Sequence, residues 1–205
     1  MKITVFGATG GTGRELVKQA TAAGHTVTAV VRNPAKLPAD GFEVIAAEVM
    51  DPDAITPAVT GRDLIVSALG AHPRSHEPVC SPGAESIIAA MRATGVRRLV
   101  VITAAGHVED PGDSLLTRAV LKPILGLVLR DSFADFTRTD RIVSASGLDW
   151  TIMRPPRLTN GGRRRYRTAL DRTVGTTISR ADLADATLGA ATDPAAIGHT
   201  VGVGY

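Results

Sequence analysis

Hydrophobic and β-branched residues recur along the chain in short runs that predict β-strands. The runs with few polar side chains cover residues 3–6, 26–31, 42–47, 63–68, 97–103 and 150–154, and a last one covers residues 199–203. Strands of this composition are typical of a parallel sheet that is covered on both faces.

Helical patterns alternate with these strands. Ala84, Ile87, Ile88 and Met91 lie at i, i+3, i+4 and i+7, and Gly95 ends that helix. Further helices are predicted around residues 16–20, from residue 52, over residues 133–146 and after a capping box at 179–182. Strict alternation with short connections predicts an α/β fold: a doubly wound parallel sheet in three αβα layers, one domain over residues 1–205.

Two segments do not follow either pattern. Residues 160–167 are predicted as an arginine-rich loop, and residues 107–131 have no clear periodicity. The apolar stretch 119–129 is much shorter than the ~20 residues of a membrane-spanning helix. It is interpreted either as a substrate lid or as a surface for a protein partner.

Bulk composition excludes several functional classes. The net charge is +3 and aromatic residues make up 3% of the chain, so nucleic acid is not an expected partner. A single cysteine, Cys80, rules out an internal disulfide framework. The five histidines have no metal-ligand spacing, so no metal is expected. A first strand that starts at once leaves no room for a leader peptide, and we expect a cytoplasmic protein without membrane attachment.

Three glycines follow the first strand at the spacing Gly7-x-x-Gly10-x-x-Gly13, and a helix begins immediately. This arrangement permits a tight turn, close backbone approach to a pyrophosphate and close packing of helix on strand. The helix N-terminus then offers free N–H groups to the phosphates. The pattern predicts a dinucleotide site, with a purely structural turn as the alternative.

Arg32 ends the second strand, where such folds choose their cofactor. An acidic residue there would bind the ribose of NAD, whereas arginine suits the 2′-phosphate of NADP. The sequence favours NADP(H), unless Arg32 is simply a surface residue. The other strand ends should line the same crevice: Gly7, Val49, Ala68, Leu69, Gly70, Thr103, Ala104 and Ala105.

Four motifs together resemble the atypical short-chain dehydrogenase/reductases. They are the segments 7–13, 30–34, 146–155 and 178–184. The likeness is to the NAD(P)H-binding group that includes NmrA-type proteins and biliverdin-IXβ (flavin) reductase, and it implies a Rossmann fold. It also implies that Gly7, Thr9, Gly10, Thr12 and Gly13 hold the pyrophosphate, that Arg32 takes the 2′-phosphate, that Ala68 and Leu69 flank the ribose and adenine side, and that Pro155 lies near the nicotinamide. The full set of expected cofactor contacts adds Gly11 of the loop and the strand-end residues Val49, Gly70, Thr103 and Ala104.

The catalytic pattern of that superfamily is missing. Many members use Tyr-x-x-x-Lys, but tyrosine occurs here only at 166 and 205, and the corresponding helix offers Phe136-x-x-x-Asp140. The serine expected after the fifth strand is replaced by Thr103, which is either a hydrogen-bond donor to substrate or a packing residue. An alcohol dehydrogenase mechanism is therefore disfavoured.

The chemistry that fits these departures is hydride transfer from NADPH to a planar acceptor such as a flavin, quinone or tetrapyrrole. Such acceptors take their proton from solvent or from a loop histidine, with His72, His76 and His107 as candidates. Thr103, Arg154 and Arg157 are the tentative catalytic residues. Arginines 163–165 and 167 either bind an anionic acceptor or are solvated. The alternative is an NmrA-type redox sensor that binds NADP(H) and a protein partner without turnover.

Overall fold

The computed structural model describes residues 1–70, 77–107 and 130–205. A central sheet of eight strands has the order β3-β2-β1-β4-β5-β6-β10-β8, and a second sheet pairs β7 with β9. The strands are β1 Lys2–Phe6, β2 Thr26–Val31, β3 Glu43–Ala46, β4 Leu64–Ser67, β5 Arg98–Ile102, β6 Asp149–Arg154, β7 Arg157–Thr159, β8 Arg167–Leu170, β9 Thr177–Ser179 and β10 His199–Gly204.

Helices cover both faces of the central sheet. They are α1 Gly11–Ala22, α2 Pro52–Val59, α3 Cys80–Thr94, α4 Arg130–Ser144 and α5 Arg180–Thr192. Helices α1 and α5 pack together on one face, around a core that includes Leu16 and Leu183. Helices α2, α3 and α4 cover the other face, around Ile87 and Val143. The predicted doubly wound α/β fold with three layers is confirmed.

The strand order reverses beside β1, and this reversal positions the candidate site. Phe6, the last residue of β1, pairs with Val30 of β2 and with Ser67 of β4 in parallel register. The segments that leave these three strands therefore start side by side at one edge of the sheet. In open α/β sheets, ligands bind in the crevice at such a switch point.

The C-terminal third contains strands that the sequence pattern does not predict. Strands β7, β8 and β9 have three or four residues each, most of them exposed or only partly buried, so they lack a continuous apolar run. Strand β8 pairs antiparallel with β10 and extends the sheet beyond the last predicted strand. Arg167, which was assigned to the loop 160–167, is the first residue of β8.

Two helix termini differ from expectation. Helix α4 begins at Arg130, three residues before the predicted start. Ser179 caps α5 by accepting a hydrogen bond from the Asp182 N–H, as a capping box requires. The reciprocal bond is replaced, because the N–H of Ser179 donates to the hydroxyl of Tyr205.

Among the helices that the structure describes, none combines the length and the apolar character that crossing a bilayer demands. The predictions made for His72, His76 and the segment 119–129 fall outside the described residues.

Candidate functional site

The loop between β1 and α1 is packed so closely that two of its positions must be glycine. Gly7 has φ of +76°, and a Cβ there would lie 2.4 Å from the carbonyl oxygen of Ala68. A Cβ on Gly13 would lie 2.2 Å from the carbonyl oxygen of Gly7. The N–H of Gly10 closes the turn on that same oxygen at 3.0 Å. The turn is thus tight and held against the end of β4.

The N-terminus of α1 is open to an anion. Gly10 is the N-cap residue, and no side chain caps the helix. Gly10 and Gly11 are exposed, Thr9 is half-buried and Thr12 is buried. The first N–H groups of the helix have no partner within the helix and lie at the positive end of its dipole. Because the residues around them are glycines, a pyrophosphate can approach these N–H groups closely. The residues present therefore fit the dinucleotide that the sequence predicts.

Arg32 lies exposed at the end of β2, with no hydrogen bond or ion pair to another described residue. The turn after it is closed by Asn33, whose side chain accepts from the N–H of Ala35 at 3.0 Å. Arg14 ties this turn to the glycine loop by donating to the carbonyls of Thr9 and Lys36 at 3.1 and 2.7 Å. Arg14 was not anticipated from sequence, and its role here is structural.

An apolar wall follows β4 and joins two predicted residues. Val49 is buried and Leu69 half-buried, and both approach Gly83 of α3. A Cβ on Gly83 would lie 2.5 Å from Cδ1 of Leu69. The thiol of Cys80 contacts the carbonyl of Leu69 at 3.4 Å, and burial raises the pKa of this thiol. Cys80 is consequently a packing residue and not a nucleophile.

The segments that follow β5 and β6 lie side by side and continue to form hydrogen bonds with each other. The N–H of Thr103 donates to the carbonyl of Met153 at 2.9 Å, and that of Ala105 to the carbonyl of Pro155 at 2.8 Å. The hydroxyl of Thr103 is buried and has no hydrogen-bond partner within the described residues. A buried hydroxyl without a partner costs free energy, so the described part of this crevice offers a hydrogen bond that a ligand could satisfy.

A charged cluster forms around Asp140, the residue that stands in sequence at the lysine position of a Tyr-x-x-x-Lys pattern. Nε2 of His107 is 2.9 Å from Oδ2 of Asp140, and Nη2 of Arg154 donates to the same oxygen at 2.8 Å. The His107 side chain is 3% exposed and Asp140 12%. The His107 ring is flanked by Phe136, with ring centroids 6.0 Å apart. One carboxylate thus orients both an imidazole and a guanidinium.

Three further atoms of this cluster have no hydrogen-bond partner in the part of the chain that is described: Nδ1 of His107, Oδ1 of Asp140 and Nε of Arg154. Together with the Thr103 hydroxyl they are four of the seven buried side-chain polar atoms left unpaired among the described residues. Within the described residues, this is where a polar ligand would meet the largest group of buried polar atoms that still lack a hydrogen bond.

The other arginines near the C-terminal strands are placed differently. Arg157 is exposed on β7. Arg163 donates to the side chain of Gln19 on α1 at 2.9 Å and lies 3.7 Å from Asp185 on α5. The arginine-rich loop therefore runs along α1 and α5. Arg180, which sequence reasoning passed over, lies against Gly11 of the glycine loop.

The His107–Asp140 contact was also missed, although one signal was available. Asp140 occupies the place of the missing lysine, four residues after Phe136, and an acidic residue there needs a cationic or hydrogen-bonding partner. Residues 1–70, 77–107 and 130–205 contain no group of three or more His, Cys, Asp or Glu side chains that could hold a metal ion.

Solved structures of similar fold are numerous. A Rossmann-fold NAD(P)-binding family protein from Shigella flexneri superposes with a TM-score of 0.75 at 25% identity, over 98% of this chain and 92% of that one. A wide-type short-chain dehydrogenase/reductase from Veillonella parvula, solved in complex with NADP, gives 0.79 at 20% identity, over 100% and 94% of the two chains. At that identity the second likeness concerns the fold alone.

Sequence comparison leads to the same group. A 3-diazoavenalumate denitrifying reductase from Streptomyces is 30% identical over 128 residues, which are 57% of this chain and 42% of the reductase. The chain spans about half or less of the length of the curated relatives that it matches. The profile of the NAD(P)H-binding family matches residues 7–194, from the first glycine of the loop to the end of α5 and beyond. The chain belongs to the NAD(P)H-binding family.

Proposed function

We propose that this protein is an NADPH-dependent oxidoreductase that transfers hydride to a planar acceptor, a flavin, quinone or tetrapyrrole, without a Tyr-Lys catalytic pair. The observation that carries the proposal is the cluster of His107, Asp140 and Arg154, together with the hydroxyl of Thr103, which has no hydrogen-bond partner among the described residues. This cluster gives the site polar and charged groups for an acceptor, but no phenol to donate a proton.

Both tyrosines of the chain are engaged elsewhere. The hydroxyl of Tyr166 donates to Asp185 at 2.6 Å, and burial together with this carboxylate raises the pKa of the phenol. The hydroxyl of Tyr205 donates to Asp182. Since neither phenol belongs to the cluster, reduction of a simple ketone or aldehyde would lack its usual proton donor. A conjugated acceptor can delocalise the electron pair and be protonated afterwards.

The dinucleotide would be held by the open N-terminus of α1, with Arg32 on the 2′-phosphate. Arg32 is exposed and unpaired among the described residues, and arginine can bind a phosphate with two parallel hydrogen bonds. The bound dihydronicotinamide supplies the hydride.

The residues of the cluster have separate tasks in this proposal. Thr103 offers its hydroxyl to a polar atom of the acceptor and so fixes the acceptor against the nicotinamide end near Pro155. Asp140 holds Nε2 of His107, which leaves Nδ1 as the ring atom that can take up a proton from solvent and pass it to the reduced acceptor. Arg154 balances the charge of Asp140 and holds its carboxylate in place.

The test is NADPH oxidation by the purified protein with FMN, a small quinone and biliverdin offered in turn. We expect the wild-type protein to turn over at least one of these acceptors. We expect Thr103→Val to lower that turnover rate and to leave the affinity for NADPH unchanged. Tight NADPH binding without turnover on any acceptor would contradict the proposal. It would favour the alternative, a redox sensor that acts through a protein partner.

A further inference from the structure

Gly11 lies in the glycine loop, but the loop motif itself does not require glycine at this position. It is not one of the three spaced glycines, and its φ is not positive. A Cβ at this position would lie 2.5 Å from Cδ and 2.7 Å from Nε of Arg180. The side chain of Arg180, the first residue of α5, therefore crosses the space that any other residue at position 11 would fill.

The guanidinium of Arg180 is held in place by a neutral group. Its Nη1 donates to Oδ1 of Asn160 at 2.6 Å. No carboxylate of the described residues forms an ion pair with it. Asn160 thus sets the direction of the guanidinium without neutralising its charge.

This charge, which has no carboxylate partner among the described residues, lies at the positive end of a helix dipole. Gly11 is the first residue of α1, whose N-terminus is uncapped by any side chain. A cation beside a helix N-terminus is unfavourable by itself. An anion at the same place is stabilised both by the helix N-terminus and by the cation. The arrangement becomes favourable when an anion bridges the helix N–H groups and the guanidinium.

We propose that Arg180 is a binding residue for the pyrophosphate of the dinucleotide, positioned by Asn160 and given its space by Gly11. The 2′-phosphate is the other anionic group of NADPH, and Arg32 at the end of β2 is placed for that group. The inference rests on dinucleotide binding by the family and not on the proposed acceptor. It holds whether or not the protein turns over.

The first test is the affinity of Arg180→Ala for NADPH and for NADH, measured by quenching of protein fluorescence. Loss of a charged hydrogen bond corresponds to roughly a tenfold to hundredfold weaker binding, and both dinucleotides should lose affinity by the same factor. Arg141→Ala, which removes an exposed arginine near the C-terminal end of α4, is the charge-matched control and should bind as the wild type does. Thermal unfolding without cofactor confirms that the variants are folded.

The second test is a double-mutant cycle with Gly11→Ala. The methyl group should displace Arg180 and weaken binding in the wild-type background, but add little in the Arg180→Ala background. Arg180→Lys keeps the charge but loses the paired N–H donors of the guanidinium, so its affinity for the dinucleotide should lie between those of the wild type and Arg180→Ala.

Three results would overturn the proposal. One is unchanged affinity of Arg180→Ala for both dinucleotides. Another is a loss for NADPH alone, which would put Arg180 on the 2′-phosphate. The last is a loss of dinucleotide affinity on Gly11→Ala that is equal in the wild-type protein and in Arg180→Ala. A protein that binds through Arg180 but reduces no acceptor would leave this inference standing and remove only the proposed reductase activity.

Discussion

His107 and Asp140 are 33 residues apart in sequence, and their side chains meet at 2.9 Å between Nε2 and Oδ2. The contact joins the segment after β5 to helix α4, and Arg154 at the end of β6 binds the same carboxylate oxygen. Three elements around the crevice are thereby fixed to one another through Asp140. In the proposed mechanism, Asp140 positions the groups that face the acceptor and does not itself react.

Asp140→Asn should lower turnover at least roughly tenfold while NADPH affinity stays unchanged, because the oriented imidazole is lost and the dinucleotide contacts lie elsewhere. The free energy of unfolding should fall by about 1–3 kcal/mol, because Arg154 loses its charged partner in a half-buried position. Steady-state kinetics and chemical denaturation measure the two effects.

The control is Asp149→Asn, which breaks an ion pair with Arg97 whose side chains are 39% and 60% exposed. Exposed pairs contribute about 0–1 kcal/mol, so this variant should keep both activity and most of its stability. Equal effects of the two substitutions on turnover would show that Asp140 has no special place in the reaction.

Thr103→Val should reduce activity without reducing stability. The hydroxyl is buried and has no partner among the described residues, so an isosteric apolar side chain should leave the free energy of unfolding unchanged or raise it by up to about 1–2 kcal/mol. The KM for the acceptor should rise, since the acceptor loses its hydrogen bond. A clear drop in melting temperature would instead mean that the hydroxyl forms a hydrogen bond within the protein.

Arg32→Asp should shift the cofactor preference from NADPH toward NADH. The exposed guanidinium is replaced by a carboxylate that repels the 2′-phosphate and can accept from the ribose hydroxyl. The ratio of the two dissociation constants, measured by titration, reports this change. An unchanged ratio would remove Arg32 from the phosphate site.

Asp135 stabilises the start of α3 from another helix. Its carboxylate accepts from the N–H groups of Val79, Cys80 and Ser81 at 3.0, 2.8 and 2.9 Å. Burial alone would raise the pKa of Asp135, but these bonds and the Ser81 hydroxyl outweigh burial and lower it. A carboxyl whose pKa is lower in the folded state than in the unfolded state stabilises the folded protein at pH values above the unfolded pKa of about 3.9. This stabilisation is lost as the pH falls through the pKa of the folded state.

The consequence is measurable as a stability difference. Asp135→Asn should unfold more easily than the wild type at pH 7 by about 1–3 kcal/mol, and the difference should shrink below about pH 4. Asp53→Asn, at an exposed aspartate in the first turn of α2, is the control and should change little. A difference that stays constant with pH would show that the charge of Asp135 is not involved.

Local pattern was sufficient to predict the parts of the fold that are determined locally. The six N-terminal strands, the last strand and the glycine loop were predicted because apolar runs and spaced glycines lie within a few residues of each other. Strands β7 and β9 pair across some twenty residues and have only three residues each, so no run marks them. Which predicted residues contact a dinucleotide stays a prediction.

The contacts that define the site arise from tertiary structure. Asp135 reaches the start of α3 over more than fifty residues, and Arg180 reaches Gly11 from the opposite end of the chain. Both residues look like ordinary helix-surface charges in sequence. Their roles follow from the packing of α4 beside α3 and of α5 beside α1, which periodicity does not specify.

The most direct test of hydride transfer is the fate of deuterium from NADPH labelled at C4 on one face or the other. After turnover with the acceptor that reacts fastest, mass spectrometry of the product NADP⁺ shows which label was lost. The proposed mechanism predicts that one labelled isomer gives NADP⁺ without deuterium and the other gives fully labelled NADP⁺, because the bound nicotinamide presents a single face. Mixed labelling from both isomers, or no NADP⁺ with any acceptor, would contradict it.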